Sequence, residues 1–317
     1  MQDNILISVI VLTYNQEGTI RQTLESILTQ DHTFPYEIVI GDDGSSDHTI
    51  EILQTYQEKF PNIIKLYVNE KNLGVVKNYY SILDRCSGKY IMLCAGDDYW
   101  LPGKISIQMN FMETNPKVGV LYGVCHIYDT DKKMLIENRN PPVIPKSSYF
   151  DALLEGNFIP TLTVCYRREL YTKYINKEIF LGFLMEDYPM WLEFSQHTDF
   201  AALPQAVAVY RMSPLSLSGS ADEEKYIQFN KAVISIQQYF LSSAKVINPE
   251  YKRAKLLMHI CINSLLNEKY IIAQYFWQQI SLVTLIKSFN LNQILNYLQI
   301  KLSIFFRKRL ILMRLTG

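Results

Sequence analysis

The chain has 317 residues, of which 48% are apolar and 20% charged; at roughly 150 residues per domain, about two domains are expected. That balance excludes a disordered or fibrous chain. Lysine plus arginine and aspartate plus glutamate both number 31, so the net charge is zero and the basic excess of a nucleic-acid binder is missing.

Residues 5–12 are an almost unbroken apolar run rich in Ile and Val, which predicts a strand buried on both faces. Over 19–29, Ile20, Leu24, Ile27 and Leu28 share one helical face. A strand over 37–40, a helix over 46–60 with Ile50, Leu53 and Tyr56 inward, a strand over 63–68, a helix over 75–86 and a strand over 90–94 follow. This alternation implies right-handed βαβ units and a parallel sheet. Beyond it the pattern loosens. A helix is expected over 103–115, a strand over 118–122, a long proline-bearing loop over 129–148, a helix over 187–197 and a strand over 206–210. The serine-rich stretch 213–220 marks a boundary. The organisation expected is an α/β domain over 1–218, with a mostly parallel central sheet, and a helical region over 219–317.

Ligands of an open parallel sheet bind beyond the carboxyl ends of its strands. There the first strand delivers Thr13-Tyr14-Asn15, the second Gly41-Asp42-Asp43-Gly44-Ser45-Ser46, and the fourth Ala95-Gly96-Asp97-Asp98. Two acidic pairs on one edge repel unless a hard divalent cation, with a substrate diphosphate, compensates. Each pair alone can equally be a turn with a helix cap. Neither G-x-G-x-x-G nor G-x-x-x-x-G-K-[ST] follows the first strand, which speaks against dehydrogenase and P-loop chemistry. The five cysteines (Cys86, Cys94, Cys125, Cys165, Cys261) form no CxxC pair, so a reducing setting is expected. The five histidines lack metal-ligand spacing. No signal peptide or transmembrane helix is predicted.

Four ordered motifs, Ser8 through Asn15, Gly41 through Asp47, Asn72-Leu73-Gly74 with Asn78, and Gly96 through Trp100, resemble family-2 glycosyltransferases with the GT-A fold. The resemblance covers about residues 5–218. It implies a metal-dependent, inverting transferase that uses a nucleotide diphosphate sugar, with a UDP-sugar expected. On this resemblance Thr13, Tyr14, Asn15 and Glu17 line the nucleotide pocket, and Asp42 or Asp43 accepts from the base. Asn72, Gly74 and Asn78 shape the nucleotide or sugar side. Asp98 is the ligand of Mn2+ or Mg2+, and Asp97 contacts ribose or sugar. Glu186-Asp187 matches the family's base motif, with Asp187 the general base; the alternative is acidic residues favouring a helix start. Arg211 either offsets diphosphate charge or forms a structural salt bridge. Ser213 stands where many relatives carry a His ligand.

After Glu268 the chain has no acidic residue, while Lys301, Arg307, Lys308, Arg309 and Arg314 interleave with apolar side chains. The tail reads either as an amphipathic helix on an anionic membrane surface or as a core helix with a solvated basic face. The function expected is transfer of a sugar to a glycan or lipid-linked acceptor in bacterial surface-polysaccharide or lipopolysaccharide synthesis. The setting is the cytoplasm, peripheral to the inner face of the membrane. A nucleotidyltransferase and a non-catalytic nucleotide-sugar-binding scaffold are the alternatives.

Overall fold

The computed structural model describes residues 5–31, 33–140, 142–212 and 223–243, together with scattered positions between 253 and 278. The first half alternates strictly: β1 (Ile7–Thr13), α1 (Ile20–Leu28), β2 (Tyr36–Asp42), α2 (Thr49–Lys59), β3 (Ile64–Val68), α3 (Val75–Leu83) and β4 (Tyr90–Ala95). These strands are parallel, in the order β3-β2-β1-β4. Then come β5 (Tyr99–Trp100), α4 (Lys104–Thr114), β6 (Val118–Asp129), β7 (Met134–Ile136), α5 (Tyr149–Glu155), a 3-10 turn (Thr161–Thr163) and β8 (Cys165–Arg167). The described elements end with α6 (Arg168–Tyr174), α7 (Lys177–Phe180), α8 (Asp187–Phe194), β9 (Asp199–Met212) and α9 (Glu223–Ser243).

Side-chain alternation explains the layering. Ile7, Val9 and Val11 of β1, with Ile38, Ile40, Met92 and Cys94, bury one face against Ile20, Leu24 and Ile27 of α1, Leu53 of α2, and Ile105 and Met109 of α4. A fully buried aliphatic side chain contributes roughly 1.5–3 kcal/mol, so this layer fixes where the strand ends sit. On the other face α3 comes so close that a Cβ on Gly41 would meet Ile82 Cγ1 at 2.4 Å and Asn78 Oδ1 at 2.6 Å. Only glycine admits that approach.

Beyond β4 the sheet is mixed. β8 is antiparallel to both β4 and β6, β5 is antiparallel to β9, and β9 runs parallel to β6. Several boundaries predicted from periodicity need correction. The stretch over 129–148 holds a hairpin, because β6 runs on to Asp129 and pairs with β7, and it ends where α5 begins. β9 begins at Asp199 instead of 206. β5 and β8 have 2 and 3 residues, too few for an alternating pattern to register.

Among the described residues, 5–153 and 157–212 form one compact unit, and Leu154–Gly156 with α9 and the later positions belong to a second. No described helix is long and apolar enough to cross a membrane. Ser213 and the basic tail over 301–317 lie outside the described residues.

Candidate active site

The loops after β1 and β2 are sewn together. Thr13 pairs with Asp42. Asn15, at φ 52°, donates its backbone N–H to Ser45 Oγ (2.9 Å) and accepts Ser46 N at Oδ1 (2.8 Å). Gln16 N donates to Thr49 Oγ1 (2.8 Å), Glu17 N to Asp47 Oδ2 (3.1 Å), and Glu17 Oε2 accepts His48 N (2.9 Å). Asn15 and Glu17, expected to line a pocket, therefore fix the neighbouring loop. Asp47 Oδ1 accepts Thr49 N at 3.0 Å, which starts α2 three residues later than predicted; Ser45 and Ser46 serve the loop instead. Tyr14 is 45% exposed at the rim. Thr13 Oγ1 and Gln16 Oε1 are buried with no hydrogen-bond partner, the kind of defect that a bound polar ligand resolves.

Asp42 and Asp43 do different jobs. Asp42 has no exposed surface and closes its own turn, accepting Ser45 N (2.8 Å) and Ser45 Oγ (2.6 Å). Asp43 gathers the next loop: Oδ1 accepts Asn69 Nδ2 (2.9 Å) and Leu73 N (2.8 Å), and Oδ2 accepts Gly74 N (2.9 Å). Asn72 Oδ1 also accepts Gly74 N (3.0 Å), and Asn78 Nδ2 donates to Gly41 O (2.9 Å). Asn72, Gly74 and Asn78 are thus joined to Asp43 in one network, and Gly74 holds the left-handed φ of 87° that the bend requires.

The fourth strand exits through Gly96, Asp97 and Asp98. A Cβ on Gly96 would lie 2.1 Å from Gln16 Oε1 and 3.0 Å from Thr13 Oγ1, so the close approach of these side chains favours a glycine here. Thr23 Oγ1 donates to Gly96 O (2.9 Å) and Asp98 O (2.6 Å) and pins the turn. Burial raises the Asp97 carboxyl; burial first, and the Asp97 charge second, hold Asp98 well above the ordinary carboxylate range. Asp98 is 4% exposed, and Oδ1 accepts Arg211 N at 2.8 Å. The Arg211 side chain neither forms a salt bridge nor reaches outward. Its guanidinium donates to Asp97 O and Gln22 Oε1 and lies 4.9 Å from the Tyr99 ring centroid. From there its charge favours the ionised forms of both Asp97 and Asp98, against their burial. Two adjacent carboxyls with an open oxygen on Asp98 fit a hard divalent cation that takes its remaining ligands from phosphate and water. No group of three or more His, Cys, Asp or Glu that could hold a metal occurs among the described residues.

Glu186 and Asp187 open α8, and Pro189 falls in its first turn, where a missing N–H is tolerated. Asp187 Oδ1 accepts Tyr188 N at 2.6 Å; Oδ2 accepts Thr161 Oγ1, and Asn157 Nδ2 at 3.3 Å. Burial, then the neighbouring Asp187, pushes the Glu186 carboxyl up to about 8. Burial also raises Asp187, but its hydrogen bonds oppose that. Each charge disfavours the other, so the two carboxyls titrate as a pair.

Topology brings the two acidic pairs to one edge. β8 returns antiparallel along β4, with Met92 opposite Cys165 and Tyr90 opposite Arg167. The 3-10 turn before β8 therefore lies at the carboxyl end of β4, where Asp97 and Asp98 follow. Thr161 of that turn holds Asp187. Sequence reasoning missed Thr161 and Asn157, as well as Gln22 and Asn69, because their roles depend on partners far along the chain.

A parallel half-sheet, a mixed extension beyond β4 and an acidic edge between them define the GT-A fold class. The chain belongs to glycosyl transferase family 2, whose model matches residues 8–180. An uncharacterized protein of Mycobacterium tuberculosis is 33% identical over 207 residues, 64% of this chain but only 58% of that protein's length. The Escherichia coli UDP-Glc:alpha-D-GlcNAc-diphosphoundecaprenol beta-1,3-glucosyltransferase WfgD is 28% identical over 225 residues, 70% of this chain and 83% of that enzyme. The crystal structure of S. aureus TarS in complex with UDP-GlcNAc matches 88% of this chain and 82% of its own, with a TM-score of 0.58 and 19% identity, a likeness of fold.

Proposed function

We propose that this glycosyltransferase moves a sugar from a UDP-sugar to a hydroxyl of a lipid-linked glycan acceptor, with inversion at the anomeric carbon, in the synthesis of a surface polysaccharide. One observation carries the reading: two adjacent carboxyl pairs, Asp97-Asp98 and Glu186-Asp187, brought to one edge of the sheet by the return of β8 along β4. Donor type and acceptor class draw support from what WfgD's name says it uses.

In this reading Asp43, the loop Asn72–Gly74 that it gathers, and the unpaired oxygens of Thr13 and Gln16 receive the nucleotide, with Tyr14 at the rim. Asp97 faces ribose or sugar. Asp98 would hold Mn2+ or Mg2+, which when bound neutralises the leaving diphosphate. Arg211 keeps the Asp97-Asp98 turn in shape. Asp187 takes the acceptor's proton while that oxygen attacks the anomeric carbon from the face opposite the diphosphate. One C–O bond forms and one breaks, so the configuration inverts, and nucleoside diphosphate leaves.

The test is thermal unfolding with UDP-glucose and UDP-GlcNAc, with and without Mn2+, for the wild type and Asp98→Ala. A ligand at roughly a hundredfold excess over its Kd stabilises by about 2.7 kcal/mol. That gain should require Mn2+ and vanish in Asp98→Ala. Equal stabilisation of both proteins, with or without metal, would contradict the assignment of Asp98. Release of pyrophosphate in place of nucleoside diphosphate on turnover would indicate a nucleotidyltransferase.

A further inference from the structure

Asp187 is held by more than its helix. An ionised carboxylate oxygen offers about two acceptor sites. Oδ2 takes Thr161 Oγ1 and Asn157 Nδ2, so both of its sites are filled. Oδ1 takes Tyr188 N and no donor from any other described residue, which leaves room on it for the acceptor. The two donors are themselves fixed. Asn157 Oδ1 accepts Ile159 N at 3.1 Å, which turns its Nδ2 toward Asp187. The turn that carries Thr161 is closed by Thr163 N and Thr163 Oγ1 on Pro160 O (2.9 and 2.7 Å). It is tied to β6 by Gly123 N on Thr163 Oγ1 (3.1 Å) and to α4 by Gln108 Nε2 on Thr163 O (2.7 Å). A carboxylate oriented by supports that are themselves hydrogen-bonded is what a preorganised base needs.

We propose that Thr161 and Asn157 are positioning residues for Asp187: they occupy Oδ2 and leave Oδ1 as the atom that receives the acceptor's proton. The proposal rests on the reading of Asp187 as the base. In the step, the hydroxyl O–H bond of the acceptor breaks as its oxygen bonds the anomeric carbon. The proton goes to Oδ1, and the electron pair of the breaking anomeric bond leaves with the diphosphate. Donating to the charged carboxylate, Thr161 and Asn157 also keep Asp187 ionised against its burial. The titratable groups that face Asp187 are Glu186 beside it and Tyr80 of α3. The Tyr80 hydroxyl is buried with no hydrogen-bond partner, and burial first, then the neighbouring Glu186-Asp187 pair, holds it neutral.

The experiment is a carbon-13 carboxyl NMR titration of the full chain, with the Asp187 signal assigned by its loss in Asp187→Asn. It needs no substrate. Thr161→Val should raise the Asp187 midpoint by about 1–2 pH units, the range expected for one hydrogen bond to a charged group. Asn157→Ala should raise it by less, and Thr161→Ser, which keeps the hydroxyl, should restore the wild-type midpoint. An unmoved midpoint in folded Thr161→Val, or a shift in Thr161→Ser as large as in Val, overturns the proposal. If Thr161→Val does not fold, an unmoved midpoint in Asn157→Ala does so instead. Turnover of Asp187→Asn tests the base reading separately, so either can fail alone.

Discussion

Asp43 concentrates three donors on one carboxylate: Asn69 Nδ2, Leu73 N and Gly74 N. Its residue is 4% exposed, so water cannot replace lost partners. Asp43→Asn keeps the size but turns one acceptor oxygen into a donor that faces donors. We expect a loss of about 2–3 kcal/mol of stability, the scale of charged hydrogen bonds in a buried site, measured by urea unfolding. The loop over Asn72–Gly74 should lose order with it, and nucleotide affinity should fall. A loss under about 0.5 kcal/mol, the usual range for surface changes, would show that the network does not hold the loop. Gly96 shows what sequence could convey at this scale. The glycine is legible as the first residue of the Gly96–Trp100 motif; the reason for it, Gln16 and Thr13 packed against its Cα, appears only in the fold.

Among the elements, α4 carries a lysine in an unusual place. Lys104 has no exposed surface; its Nζ donates to Gln108 Oε1 and lies 4.6 Å from the Trp100 ring centroid, with no carboxylate paired to it among the described residues. Burial lowers its pKa from the ordinary 10.5 to about 8. Between those two values the unfolded chain binds more protons than the folded one, so this group makes stability rise with pH from about 8 to about 10.5. Denaturant titrations across that window should show the rise in the wild type and a flatter profile in Lys104→Met. Parallel profiles would mean that Lys104 is solvated in the native protein.

Periodicity read the elements of the first hundred residues because each has enough residues to show its period. It failed where a strand is very short, as in β5 and β8, or where proline and charge interrupt a segment, as over 129–148. The site followed the same division. Asp97, Asp98 and Asp187 stand in local motifs that a sequence can show, whereas Thr161 and Asn157 come to the acidic edge only because β8 folds back along β4. That return is a long-range pairing no local pattern encodes.

At the scale of the whole molecule, one sheet edge serves two chemistries in the proposed reading. Parallel strands present the loops that receive a nucleotide, and the antiparallel return of β8 supports a base near them. Separate supports imply separable effects. Donor contacts lie on the loops after β1, β2 and β4, while Asp187 is held by Thr161, Asn157 and its own helix. The most direct test is therefore to measure turnover and donor affinity of Asp187→Asn once a donor–acceptor pair is in hand. The variant keeps the shape of the side chain but cannot take a proton. Turnover should fall by about 10²–10⁴-fold, the usual share of general-base catalysis, while donor affinity stays within a few-fold of the wild type. Near-normal turnover would contradict the account and pass the role of base to another residue, with Glu186 the first to examine.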